Sequence, residues 1–103
     1  MRQLLWILAL AALPAAGAER PNGEAVYTKW CAPCHDPGIE HAGTHALQAK
    51  YNGALPAVLR EWPHLEAEHV KATVRHGISI MPPFRKTEIT DQELDALAKW
   101  LAR

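Results

Sequence analysis

Cys31 and Cys34 are the only cysteines in the 103-residue chain, and His35 follows the second of them directly. On a helical turn this spacing lets two thiols reach the two vinyl groups of one haem, and the next residue offers an imidazole nitrogen to its iron. The motif Cys31-Ala32-Pro33-Cys34-His35 therefore reads as a covalent haem site, and the rest of the chain has to be placed around a flat apolar group of that size. C-x-x-C also serves as a redox dithiol or as half of a zinc site. A dithiol predicts strand-helix alternation around the motif, and a zinc site of this type needs a second ligand pair at matching spacing. The sequence shows neither, so the haem reading leads and these two stand behind it.

Arg2, the apolar run from Leu4 to Leu13, Pro14 and the small residues Ala16-Gly17-Ala18 have the order of a secretory signal peptide, with cleavage expected after Ala18. About ten apolar residues fall short of the roughly 20 that a membrane-spanning helix needs, so an uncleaved anchor is the weaker reading. The expected division is residues 1–18 as signal and 19–103 as one domain, exported to the periplasm and without stable membrane insertion once the signal is removed. Such a domain is too short to bury a large core from side chains alone. One disulfide across three positions would close a tiny loop and constrain little of the unfolded chain. A covalent haem is a much larger core element. Removing Arg2 takes the 11 basic side chains to ten, against 11 acidic ones. Near-neutrality argues against nucleic acid as a partner.

No repeat or Gly/Ser linker divides the remainder. Asn22 offers an N-cap, Glu24 an acidic first turn, and Val26, Tyr27 and Trp30 an apolar face, predicting a short helix that delivers the cysteines. Residues 36–52 are rich in Gly, Pro, His and Asn without a sustained period and read as a loop over the histidine side of the haem, with Pro37 barring a continued helix. An iron-bound histidine normally gives its other N–H to an oxygen acceptor, and a carbonyl near Gly43 or Thr44 is the expected one. Leu47, with Ile39, is expected to pack on the porphyrin face, which differs little from ordinary core packing.

Leu55, Val58 and Leu59 predict a helix over Ala54 to Glu61, with Pro56 in its first turn and an end before Trp62-Pro63. Trp62 either fills the core or gives its indole N–H to a haem propionate. Glu66 to His76 is acidic at its start and basic at its end, as a helix dipole favours, and Gly77 supplies the stop. In Ile78-Ser79-Ile80-Met81-Pro82-Pro83-Phe84 two prolines remove N–H donors and predict a stiff loop with Met81 at its tip. Met81 is the only methionine left after the signal, and paired with C-x-x-C-H it is the leading sixth ligand. Thr90-Asp91-Gln92-Glu93 is a capping box, followed by the stripe Leu94, Leu97, Ala98 and Leu101, with Trp100 placed to pack on Val26 and Tyr27.

With these pieces in this order, the chain after residue 18 resembles a small class I c-type cytochrome. The resemblance implies an all-α fold of three to four helices around one covalently attached haem. It also implies that the first and last helices cross near Gly23 and an aromatic of the last helix, and that one haem edge is left exposed for electron transfer. More narrowly, Val74-Arg75-His76-Gly77-Ile78-Ser79-Ile80-Met81-Pro82-Pro83-Phe84 looks like the cytochrome subunit of flavocytochromes that oxidise para-substituted phenols, such as cresol methylhydroxylases and eugenol hydroxylases. That likeness implies a flavoprotein subunit as redox partner. Many class I members have Gly-Pro where this chain has Gly43-Thr44, which leaves open which carbonyl orients His35.

Histidine and methionine together would fill both axial positions and leave no site for oxygen or peroxide, which predicts one-electron transfer and no catalytic residue. The expected function is a periplasmic monohaem cytochrome that accepts electrons from a flavoprotein. The alternatives are a free soluble shuttle to a terminal oxidase, and a haem enzyme or ligand sensor in which Met81 is displaceable. His41, His45, His64, His69 and His76 read as surface residues. The expected docking patch is apolar, made by Ala32, Pro33, Ile80, Pro82 and Pro83, with Arg85 and Lys86 at its margin and a basic ring around Arg75, Arg85 and Lys86 as the competing reading.

Overall fold

The computed structural model describes residues 20–103. The expected signal and its cleavage point fall on residues outside that range. The described chain is helical, without a strand among the described residues, and its order is α1 (Gly23–Trp30), α2 (Ala32–His35), α3 (Ala42–Tyr51), a single 3-10 turn (Leu59–Glu61), α4 (Ala67–His76) and α5 (Asp91–Leu101).

α5 is the element the others pack on. Thr90 Oγ1 accepts from the Glu93 N–H and Glu93 Oε1 accepts from the Thr90 N–H, both at 3.1 Å, so the expected capping box forms in full. Leu94, Leu97, Ala98 and Leu101 are all buried on one face. That stripe meets Val26 and Tyr27 of α1 and Val70 and Val74 of α4, with Leu65 and Ile89 closing the ends of the cluster. Buried side chains of this size contribute about 1.5–3 kcal/mol each before conformational entropy is counted, which is why three short helices suffice as a frame.

α1 starts where expected, with Asn22 accepting from the Ala25 N–H at 3.2 Å. Gly23 lies where α1 crosses α5. A Cβ there would meet the Ala96 carbonyl and come 2.6 Å from Trp100 Cβ, so close approach of the two helices is what the residue provides. The Tyr27 and Trp100 rings meet at 5.0 Å between centroids. α4 carries Glu68 in its first turn and Arg75 and His76 in its last, and ends at Gly77 with φ +70°.

Three local expectations are corrected. Residues 36–52 are not all loop, because α3 occupies Ala42–Tyr51. It lacks a side-chain N-cap and buries only Thr44, so it leaves almost no apolar period to read. It stops at Asn52 in the left-handed region, φ +46°, which asparagine tolerates. Ala54 to Glu61 is not a helix beyond the turn Leu59–Glu61, and Leu55 through Leu59 are half-buried in succession instead of on alternating faces. Pro56 removes one helical donor, which accounts for the irregular run. Finally, Met81 closes a turn instead of crowning it: Ile78 and Met81 exchange N–H to carbonyl bonds of 3.1 and 2.9 Å, leaving Ser79 and Ile80 as the tip.

Candidate functional site

α2 is one turn long, and it brings Cys31, Cys34 and His35 to the end of α1. The Cys34 and His35 N–H groups both donate to the Cys31 carbonyl, at 3.1 and 3.0 Å. The two thiols are free and unlike: Cys31 is buried and Cys34 is exposed. Burial, followed by the neighbouring Cys34, pushes the Cys31 thiol up to about 12, so it stays protonated. Burial likewise holds the His35 imidazole below its ordinary range, keeping it neutral, the form in which a ring nitrogen can bind a metal.

α3 is held over this turn by polar bonds. Thr44 Oγ1 donates to the Asp36 carbonyl at 2.7 Å, and His41 Nδ1 lies 2.8 Å from the Pro33 carbonyl oxygen. Gly43 is thereby pressed on His35. A Cβ on Gly43 would stand 2.7 Å from His35 Cε1, 2.8 Å from its Nδ1 and 2.7 Å from the Cys34 carbonyl oxygen. The expected carbonyl acceptor for His35 is not found, since Nδ1 is buried with no hydrogen-bond partner. Gly43 and Thr44 lie inside α3, where their carbonyls point along the helix axis. Sequence reasoning placed the wrong atom of Gly43 against His35. No local signal marks that contact, because it exists only once α3 is in place.

Leu47 follows Gly43 by four residues, on the same face of α3, and is half-buried. Ile39 stands 70% exposed ahead of α3, apart from the packed group. Met81 is half-buried and packs on the core cluster together with Trp30, Leu59, Trp62 and Phe84. Trp30 and Phe84 meet edge to face at 5.9 Å, tying the end of α1 to the segment after Met81. The Trp62 indole N–H is committed to the Pro56 carbonyl at 2.7 Å and its ring meets Tyr51 at 5.5 Å, so here it braces the loop instead of offering a propionate contact. Of the expected docking residues, Pro33, Pro82 and Pro83 are exposed and Ile80 is 71% exposed, but Ala32 is buried and leaves that set.

Two further polar atoms beside the motif were not anticipated. The Tyr27 hydroxyl and Trp30 Nε1 are buried without a hydrogen-bond partner, four positions and one position before Cys31. Burial leads in pushing the Tyr27 hydroxyl up to about 12. Buried polar groups ordinarily find partners, and three orphans flanking a four-residue helix are unusual. Together with the half-buried apolar run Leu55 to Leu59 and the half-buried Met81, they fit a chain whose packing includes a large, flat, mostly apolar group beside His35. Among the described residues no cluster of three or more His, Cys, Asp or Glu side chains is arranged to hold a metal ion, as a zinc site would need. No helix among them is long and apolar enough to cross a membrane.

The family model described as cytochrome C oxidase, cbb3-type, subunit III matches residues 18–101. No curated protein matches the chain. Among solved structures, it is similar to cytochrome c6 from the diatom Phaeodactylum tricornutum, at 20% identity over 78% of this chain and 86% of that one, with a TM-score of 0.47.

Proposed function

Because the chain belongs to the cytochrome c family described by cbb3-type oxidase subunit III, a family of electron carriers with covalent haem c, we propose that Cys31 and Cys34 bear its single haem and that His35 and Met81 are the axial ligands. The observation that supports this assignment best is His35 itself: half-buried, neutral, with a buried and unpartnered Nδ1, and set directly after the only two thiols. The haem, when bound, supplies a one-electron iron couple. The residues do the rest. Cys31 and Cys34 would fix the group to the turn between α1 and the end of α2, Gly43 and Leu47 would stand on its His35 side, and the Ile78–Met81 turn would present a thioether, which favours the reduced metal. With His35 and Met81 both holding the metal, no place would remain on it for a substrate.

The finer reading is a periplasmic subunit that accepts electrons from a flavoprotein oxidising para-substituted phenols. Its support is the likeness of Val74 to Phe84 to such cytochrome subunits, together with the exposure of Pro33, Ile80, Pro82 and Pro83. A basic docking ring has less support. Arg75 and Lys86 both pair with Asp91, and Arg85 pairs with Glu88, so each cation already has an acidic neighbour. A free shuttle serving a terminal oxidase is the second reading; its support is that the matching family is described by a subunit of such an oxidase.

Two measurements test these statements. Haem stain must stay with the unfolded polypeptide on a denaturing gel, and the native spectrum must be six-coordinate, low-spin and indifferent to carbon monoxide. Rapid mixing with a substrate-reduced flavoprotein subunit of the cresol methylhydroxylase kind must then reduce the haem. Failure there, with fast oxidation by membranes holding a terminal oxidase, selects the shuttle.

A further inference from the structure

Arg75 reads in sequence as a cation complementing the dipole of α4, a role that calls for no fixed partner. Its side chain is instead only 18% exposed and divided between two acceptors. Nη1 donates to the Phe84 carbonyl at 3.2 Å and Nη2 to Asp91 Oδ1 at 2.9 Å. The Phe84 N–H donates to the Val74 carbonyl at 2.8 Å. Both backbone polar groups of Phe84 are therefore held by the last turn of α4, one by its backbone and one by Arg75. The chain from Gly77 to Phe84 leaves that turn and returns to it.

Within this ring Met81 has little freedom. Its N–H and carbonyl are both bonded to Ile78, and Gly77 lies so close that a Cβ would stand 2.6 Å from the Met81 carbonyl oxygen. Between Met81 and Phe84 stand only Pro82 and Pro83, whose rings fix φ near −65°. With φ fixed at both prolines, less of a displacement of Phe84 is absorbed before it reaches Met81 than along an ordinary chain. The guanidinium fork serves two acceptors at once in one plane, which a lysine ammonium does not reproduce.

We propose that Arg75 is a positioning residue for Met81: its bond to the Phe84 carbonyl, aimed by Asp91, sets through the stiff Pro82-Pro83 step where the thioether stands relative to His35. This rests on the reading of Met81 as axial ligand. Asp91 in turn opens α5, so the core helix, the guanidinium and the methionine turn form one connected support.

The test uses the haem-bearing protein and compares Arg75→Gln, Arg75→Lys and Asp91→Asn with Lys71→Met. Lys71→Met removes the Lys71–Asp95 ion pair of 2.6 Å between the same two helices without touching the methionine turn. Imidazole affinity of the ferric protein reports how firmly Met81 holds its place, the weak far-red band of a thioether on ferric iron reports the bond, and the thermal midpoint reports stability. Losing one charge-assisted hydrogen bond predicts a rise in imidazole affinity of about tenfold for Arg75→Gln, with a weakened band. Arg75→Lys is expected not to restore either, Asp91→Asn to give a smaller rise, and Lys71→Met to lower the midpoint alone. Equal imidazole affinity in Arg75→Gln and Lys71→Met overturns the proposal. Where Arg75→Gln does not accumulate, an unchanged affinity and band in Asp91→Asn overturn it. A wild type that lacks the far-red band, or binds imidazole as readily as Met81→Ala, defeats the ligand reading and this inference with it. A normal wild-type band left unmoved in Arg75→Gln defeats this inference alone.

Discussion

Gly43 and His35 touch so closely that a methyl group on the glycine would stand 2.7 Å from the imidazole Cε1. Neither neighbour yields easily, because the same methyl would also lie 2.7 Å from the Cys34 carbonyl oxygen. Gly43→Ala is therefore expected to turn the imidazole or lift α3, at a cost of about 1–3 kcal/mol as in other overpacked interiors. Denaturant unfolding of the haem-bearing protein measures it, and an unchanged midpoint with an unchanged spectrum would show that the ring has room to move.

Met81→Ala removes the only thioether of residues 20–103. Carbon monoxide should then bind the reduced protein, and the reduction potential should fall, because a thioether favours ferrous iron. A variant with the wild-type spectrum and potential would identify some other residue as the ligand.

Leu97 is fully buried at the centre of the α5 stripe, between α1 and α4. Leu97→Ala is expected to cost about 2–5 kcal/mol, the range for large-to-small changes where the site cannot collapse. The loss should appear in thermal and chemical unfolding, while the spectrum of the folded fraction stays that of the wild type.

Asp91 is held below its ordinary value of 3.8, first by the hydrogen bond from Arg75 and then by that from Lys86. A carboxyl depressed on folding contributes stability above its unfolded-state pKa and loses that contribution as pH falls through the folded-state pKa. The thermal midpoint of the wild type should accordingly drop below about pH 4, and Asp91→Asn should be less stable at neutral pH but converge on the wild type in acid. A constant gap between the two curves at every pH would show that the carboxylate charge is not what matters.

Ile80 is 71% exposed at the tip of the methionine turn. If a flavoprotein docks on this apolar surface, Ile80→Asp should slow haem reduction by that partner, and wild-type association should change little with ionic strength. Steep weakening with salt, with normal reduction of the variant, would move the contact to the cations at Arg85 and Lys86.

Features written in adjacent residues were legible in the sequence. The Thr90–Glu93 capping box, the Asn22 cap and the α5 stripe each depend on neighbours within one or two turns, and each formed as expected. α3 was missed because Thr44 is its only buried residue, and a helix held by Thr44 and His41 to the carbonyls of Asp36 and Pro33 has no periodic apolar signature. The Gly43 contact needs α3 in place before it has meaning. Arg75 was misread for a related reason: its acceptors lie nine and sixteen positions ahead, and nothing local separates a cation that neutralises a helix end from one that holds a distant carbonyl. The extended Ala54–Glu61 helix failed on Pro56 and on apolar residues that follow one another without a face.

The attachment of α3 differs in kind from that of the other long helices. It offers one buried side chain and two polar staples, where α1, α4 and α5 interlock through apolar side chains. The wall over His35 is therefore fastened by polar bonds that water can replace, and amide exchange should be faster along Ala42–Tyr51 than along Asp91–Leu101.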